Sequence, residues 1–137
     1  MHVTIDSIEA SPQEHFIFFY IHNTYQVGMP ENELYDITRQ YWHNVAQAVR
    51  NGETPYTTAI GVVDGLVVSA YAIQSWHPAG TTQSTRNVTA VLNGDTDKWW
   101  EFTGTAIPNH HLLNCTITRN DEAIANQQNG FTYHPPR

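Results

Sequence analysis

Two β-rich runs organise the chain. Tyr56-Thr-Thr-Ala-Ile-Gly-Val-Val63 and the stretch from Leu66 to Trp76 flank Asp64-Gly65. Both residues of that pair tolerate the positive φ of a tight primed turn, so the pattern predicts a hairpin. Ala59, Gly61 and Val63 share one face of the first strand and Ile60 and Val62 the other. Both faces are apolar, which predicts an interior hairpin covered on each side.

The remaining pattern supplies the cover. His2 to Ile5 reads as one short strand in a loosely held lead-in ending at Ser11-Pro12-Gln13-Glu14. His15 to His22 is a continuous aromatic and β-branched run of strand length, bounded by Asn23-Thr24. Gly28-Met29-Pro30-Glu31-Asn32-Glu33 opens a helix, with proline in the first turn and carboxylates at the positive end of the dipole. Leu34, Ile37, Thr38, Tyr41, Val45, Ala48 and Val49 then recur at helical spacing until Asn51-Gly52, as one helix or as two broken near Trp42-His43-Asn44.

After the hairpin, His77 to Arg86 is a long polar loop. Asn87 to Leu92 can form a strand, and Lys98 to Gly104 another, with Trp100 and Phe102 on one face and Trp99, Glu101 and Thr103 on the other. Pro108 to His111 turns the chain, and Leu112 to Thr118 can form a short strand. Asn120-Asp121-Glu122 begins a short helix through Asn126, and Asn129 to His134 closes the fold as a strand.

Length and composition fit one domain over residues 1–137, since 40% hydrophobic content suffices for a core without metal or disulfide staples. No apolar run reaches membrane-spanning length and no basic leader precedes one, so the expected setting is cytoplasmic. The formal charge of −7, from 13 acidic against 6 basic residues, excludes broad electrostatic binding to duplex DNA. It leaves room for a nucleic acid held through one base, because stacking and base-edge hydrogen bonds need few cations.

Most familiar chemistry is missing. His110, His111 and Cys115 match no zinc spacing, so neither a metal nor any other cofactor is expected, and Cys115 reads as a small core residue. Ser84 lacks a nucleophile elbow, and no glycine loop is built to cradle phosphate. What remains is an inventory of rings and amides: Tyr25, Tyr41, Trp42, Trp76, Trp99 and Trp100, with Arg39, Arg86 and Asn87. Such a set suits the grip of one extruded base, although tryptophans in a small β domain also serve as core plugs. Arg39 and Trp42, three residues apart on a helix, would present a guanidinium beside an indole.

Tyr25-Gln-Val-Gly-Met-Pro-Glu-Asn-Glu-Leu-Tyr-Asp-Ile-Thr-Arg-Gln-Tyr-Trp42, then Ala59 to Val68 and Ile73-Gln-Ser-Trp76, resembles a small bacterial domain that also occurs fused to GIY-YIG nucleases. Trp100-Glu101-Phe102-x-Gly104 and Gln128-Asn129-Gly130-Phe131-x-Tyr133 resemble its closing motifs, so the likeness runs from Phe16 to Tyr133. That domain is similar to the PUA-like group, which includes EVE, ASCH and SRA domains. The resemblance implies an α+β fold: a curved sheet or pseudo-barrel of about five to seven strands with one or two helices over its mouth.

By the same resemblance, Thr38, Arg39 and Trp42 on the helix and Trp76 at the hairpin exit line the mouth, and Arg86 forms its lip. The implied partner is RNA or modified DNA, with any cutting left to a separate nuclease. The relatives carry more lysine and arginine after Trp42, where this chain has His-Asn-Val-Ala-Gln-Ala-Val. They also carry a glycine-rich stretch in place of Leu113 to Ile117.

The first expectation is therefore a non-enzymatic module accepting a nucleobase between Thr38, Arg39, Trp42, Trp76 and Arg86. A second is a small hydrolase acting on a modified nucleoside, as in some ASCH members, which needs a lysine or carboxylate at the pocket, in its simplest version Lys98, the only lysine, or Glu101. The third is a scaffold whose aromatic surface forms a homodimer or partner interface.

Overall fold

Asp64 (φ 49°) and Gly65 (φ 88°) adopt the left-handed conformation that a primed turn requires, and the hairpin closes around them. Its arms are β4 (Tyr56–Val63) and β5 (Leu66–Pro78), paired from Val63↔Leu66 to Thr58↔Ala72. The computed structural model describes residues 1–86, 98–124 and 130–137. Around the hairpin lie β1 (His2–Thr4), a 3-10 turn (Ile5–Ser7), β2 (His15–Tyr20), α1 (Glu31–Arg39), β3 (Trp42–His43) and α2 (Gln47–Arg50). After it come β6 (Trp99–Ala106), β7 (Thr116–Arg119), β8 (Glu122–Ala123) and β9 (Phe131–His134).

The chain is α+β, with nine strands among the described residues forming one sheet and two helices packed on it. The main path runs β1-β7-β5-β4-β2-β9, with β6 on β5, β3 on β6 and β8 on β7. This exceeds the expected five to seven because β3 and β8 have two residues each, too short to show in a hydropathy pattern. Register shifts at His15/Phe16, Gly61/Val62 and Ile73/Ser75 bend the strands that carry them.

Apolar cover on both faces of the hairpin is observed. Ile60 and Val62 meet Phe16, Phe18, Ile5, Ile8, Leu112 and Ile117. Ala59 faces the other core, with Ile17, Phe19, Ile37, Trp42 and Phe102. Phe18 and Phe19 are both 0% exposed, and each burial stabilises by roughly 1.5–3 kcal/mol. Helix α1 rests on the hairpin at Gly61, where Thr38 Oγ1 bonds Ser69 Oγ at 2.9 Å. A side chain at Gly61 would collide with the Ser69 hydroxyl and crowd Thr38 and Ile21, so glycine permits the contact.

Four expectations are corrected. Between Leu34 and Val49 the broken alternative holds, with two helices, and the correction concerns Trp42, expected on the helix and found in neither. α1 ends at Arg39, Gln40 is extended (φ −129°, ψ 154°), and Trp42 pairs with Trp100 in β3. The lead-in is held firmly, because β1 pairs in parallel with β7 and buries Ile5 and Ile8. The polar loop starts at Ala79, since β5 continues through Pro78 against Trp100. Asn120 and Asp121 both have positive φ and turn β7 into β8, where a helix start was expected. The strand expected at Asn87 to Leu92 and the end of that short helix lie outside the described residues.

β6 meets β3 only at Trp99 and Trp100. Further along the same edge, Arg39 Nη1 donates to Phe102 O at 3.3 Å and Gly104 N donates to the Tyr35 hydroxyl at 3.0 Å. Side chains of α1 thus occupy backbone groups that a neighbouring strand would otherwise take. No helix among the described residues is long and apolar enough to cross a membrane.

Candidate binding recess and the arginine clamp behind it

Of the five residues named from the sequence, Trp42 and Arg86 line the recess, whereas Thr38, Arg39 and Trp76 are structural. Thr38 is 0% exposed and its hydroxyl bridges Leu34 O at 2.8 Å and Ser69. Arg39 is 2% exposed and ties the 79–86 loop to the helix and sheet. Its Nε bonds Asp36 Oδ1 at 2.9 Å, its Nη1 bonds Thr82 Oγ1 at 2.7 Å and Glu101 Oε2 at 3.4 Å, and its Nη2 bonds Gln83 O at 2.6 Å.

Two buried carboxylates share that one guanidinium, and loop donors offset the excess negative charge. Asp36 Oδ2 accepts from the Thr85 amide at 2.8 Å and its hydroxyl at 2.7 Å. Glu101, 0% exposed, accepts from the Gly80 amide at 2.6 Å, the Thr82 amide at 3.2 Å and the Thr82 hydroxyl. Charge-assisted bonds of this kind are the strong ones, and here they fix the segment from Gly80 to Thr85, next to Arg86.

Trp42 and Trp76 are packed side chains. The Trp42 ring lies 4.7 Å from Phe19 and 6.4 Å from Phe131, and its Nε1 turns back to Thr38 O at 2.9 Å. That bond satisfies a carbonyl left open at the end of α1. Trp76, half-buried, packs 5.3 Å from Phe102 and 6.4 Å from Phe19. The indole therefore does not stand one helical turn from the guanidinium: Arg39 points into the clamp and Trp42 into the aromatic core.

A concave site does lie beside them. Gln40, Tyr41, Trp42 and Arg86, with Tyr20 and Ile37, line a recess of about 170 Å³. It adjoins a cleft of about 580 Å³ lined by Gln26, Val27, Glu33, Thr85 and Arg86, and the two share Asn23, Thr24, Ile37 and Arg86. The cleft's size is that of a small-molecule site, roughly 300–1,000 Å³. Arg86, half-buried, lies 4.9 Å over the Tyr41 ring, and its Nη1 donates to Gln40 O at 2.9 Å. Burial pulls the Arg86 pKa below the usual arginine value, against the opposing pull of Tyr41 and Asp36. Burial likewise raises the Tyr41 hydroxyl above its ordinary 10.0, partly offset by a hydrogen bond with Ser84.

Gln40 escaped the sequence reading, and it is the unusual member. It is 2% exposed, its Oε1 accepts from Ser84 Oγ at 2.7 Å, and its Nε2 has no partner among the described residues. An unpaired buried amide donor costs about 1–3 kcal/mol. Nothing in its sequence context marks it. The clamp was partly legible, since Asp36 and Arg39 stand at helical i,i+3 spacing.

A second groove, about 680 Å³, lies between α1 and strands β5 and β6, lined by Leu34, Tyr35, Tyr71, Ile107, Pro108 and Leu113 among others. It contains none of the five expected residues. Among the described residues no group of three or more His, Cys, Asp or Glu side chains is placed to hold a metal ion. No protein-family model, curated protein or solved structure matches the chain.

Proposed function

We propose that this chain is a non-catalytic nucleic-acid-binding module of PUA-like type, which takes one nucleobase, modified or not, from RNA or DNA into the recess at Arg86. The observation that supports it is the joining of three aromatic residues, a guanidinium and an amide donor unpaired among the described residues in one small concavity. Stacking on such rings contributes roughly 1–3 kcal/mol per base, and the polar groups read the base edge. Trp42 offers part of the recess wall, Arg86 the lip, and Thr38 and Arg39 hold them from behind. Trp76 supports the core that Trp42 packs into. A cytoplasmic setting, with a separate nuclease as partner, belongs to the same proposal.

The charge pattern sets a limit on how the polymer is held. Among the described residues Arg86 is the one cation lining the recess and cleft, and Glu33 lines the same cleft. Few phosphates can be neutralised there, so the logarithmic salt slope is expected to stay near −0.7, the value for about one phosphate on a single strand. The test is a fluorescence titration with short single-stranded oligonucleotides, with and without modified bases, at two salt concentrations. Saturable binding that weakens at least tenfold in Arg86→Ala, with a melting temperature lowered by no more than a few degrees, is the expected result. Wild-type protein that binds none of them removes the proposal.

The hydrolase reading finds less support, because Glu101 is buried and committed to the clamp while Lys98 is exposed. The interface reading draws on the apolar groove beside Tyr71, where burial and the nearby Glu31 charge raise the tyrosine's pKa. Light scattering over a concentration series decides it: a strict monomer counts against a homodimer.

A further inference from the structure

The polar groups of the recess are oriented, and their orientation narrows what can enter. Ser84 Oγ accepts from the Arg86 amide at 3.0 Å and passes its own proton to Gln40 Oε1 at 2.7 Å. The acceptor end of the Gln40 amide is thereby used, and its donor end, Nε2, is left unpartnered among the described residues. The main-chain carbonyl of Gln40 is used as well, by Arg86 Nη1. That bond ties the guanidinium to the Gln40 main chain over the Tyr41 ring, and both residues line the recess. Amide nitrogen and guanidinium are both donors and neither can accept.

Two donors lining one recess of about 170 Å³ suit a ligand that offers two adjacent acceptors. On the edge that faces the major groove of a duplex, guanine presents O6 and N7 together. Adenine sets its N6 amino donor beside N7, cytosine presents the N4 amino donor, and thymine a single O4. Resting on the base-binding reading above, we propose that the recess selects a guanine-type base, held along its O6/N7 edge by Gln40 Nε2 and Arg86. Adenine is rejected because its amino group would meet an amide donor and leave both unpaired.

The experiment is equilibrium binding of the full chain to guanosine, inosine, adenosine and 7-deazaguanosine, followed by calorimetry. Guanosine and inosine share O6 and N7 and are expected to bind alike. Adenosine and 7-deazaguanosine are expected to bind about tenfold more weakly or worse, since each breaks one of the two contacts. Gln40→Met keeps the side-chain length without the donor and is expected to bring the guanosine-to-adenosine ratio close to one. If that variant does not fold, the wild-type comparison of guanosine with 7-deazaguanosine still decides. Equal affinity for all four nucleosides, or a preference for adenosine, overturns the guanine assignment and leaves the base-binding module standing. Failure of every nucleoside and every oligonucleotide overturns both.

Discussion

Arg39 and Arg86 stand at the two ends of one polar tract and do opposite work. Arg39 bonds two carboxylates, a hydroxyl and two carbonyls, and has 2% of its surface left. Arg86 is half-buried, rests on Tyr41 and borders a cavity. A guanidinium that is 2% exposed and has all three nitrogens engaged inside the protein has little to offer a ligand. One held, among the described residues, by a single carbonyl and a ring face is positioned and still able to engage. The difference teaches that the more specific-looking arginine of the sequence is the fastener, and the recess is what it fastens.

Breaking the clamp gives the largest effect. Arg39→Met leaves Asp36 and Glu101 buried without their counter-charge and is expected to lose about 3–5 kcal/mol in urea denaturation. Adding Asp36→Asn and Glu101→Gln to that variant is expected to recover part of the loss, because the stranded charges are then gone. A smaller loss, about 1–3 kcal/mol, is expected of Gly61→Ala, which forces a methyl group against Ser69 and Thr38 where α1 meets the hairpin.

Arg86→Ala sharpens the contrast from the other side. It is expected to change stability by about 1 kcal/mol or less, the scale of an exposed cation–π contact, while ligand binding falls at least tenfold. Equal stability losses in the two arginine variants would erase the distinction.

The smallest effect lies away from both. His110 packs against Phe16 at 5.8 Å and His111 at 4.5 Å, and burial lowers its pKa from 6.5, with His111 adding to the shift. A histidine whose folded pKa is depressed is protonated more readily in the unfolded chain. Its share of stability is therefore complete above pH 6.5 and is lost as the pH falls below that value. His110→Gln is expected to flatten the stability profile between pH 7 and pH 5 without touching the binding of base.

Much of the scaffold was legible because its signals are local. Asp64-Gly65, the two faces of β4, the run from His15, the acidic helix start and the closing strand each announce themselves within a few residues. The failures share one cause. Tyr41 and Val45 continue a helical spacing by coincidence, and pairing of Trp42 with Trp100, 58 positions away, draws that segment into a strand. Ile5 and Ile8 are buried by a parallel pairing with the far end of the chain. Asn120-Asp121 suits a helix cap or a left-handed turn equally well, and the pairing of β7 with β8 chooses the turn. At the site, the rings and arginines were visible in the sequence. Which arginine faces inward depends on Glu101 and Gln83, and no local pattern links those to Arg39.

The grip of α1 on the margin of β6 has a bearing on how the protein fails. With Tyr35 and Arg39 seated on Gly104 N and Phe102 O, a strand from another molecule finds no ladder to extend. Chains that lose this hold present a template for intermolecular pairing, so damage to the fastener leads toward insoluble aggregates, whereas damage to Arg86 leaves that edge covered.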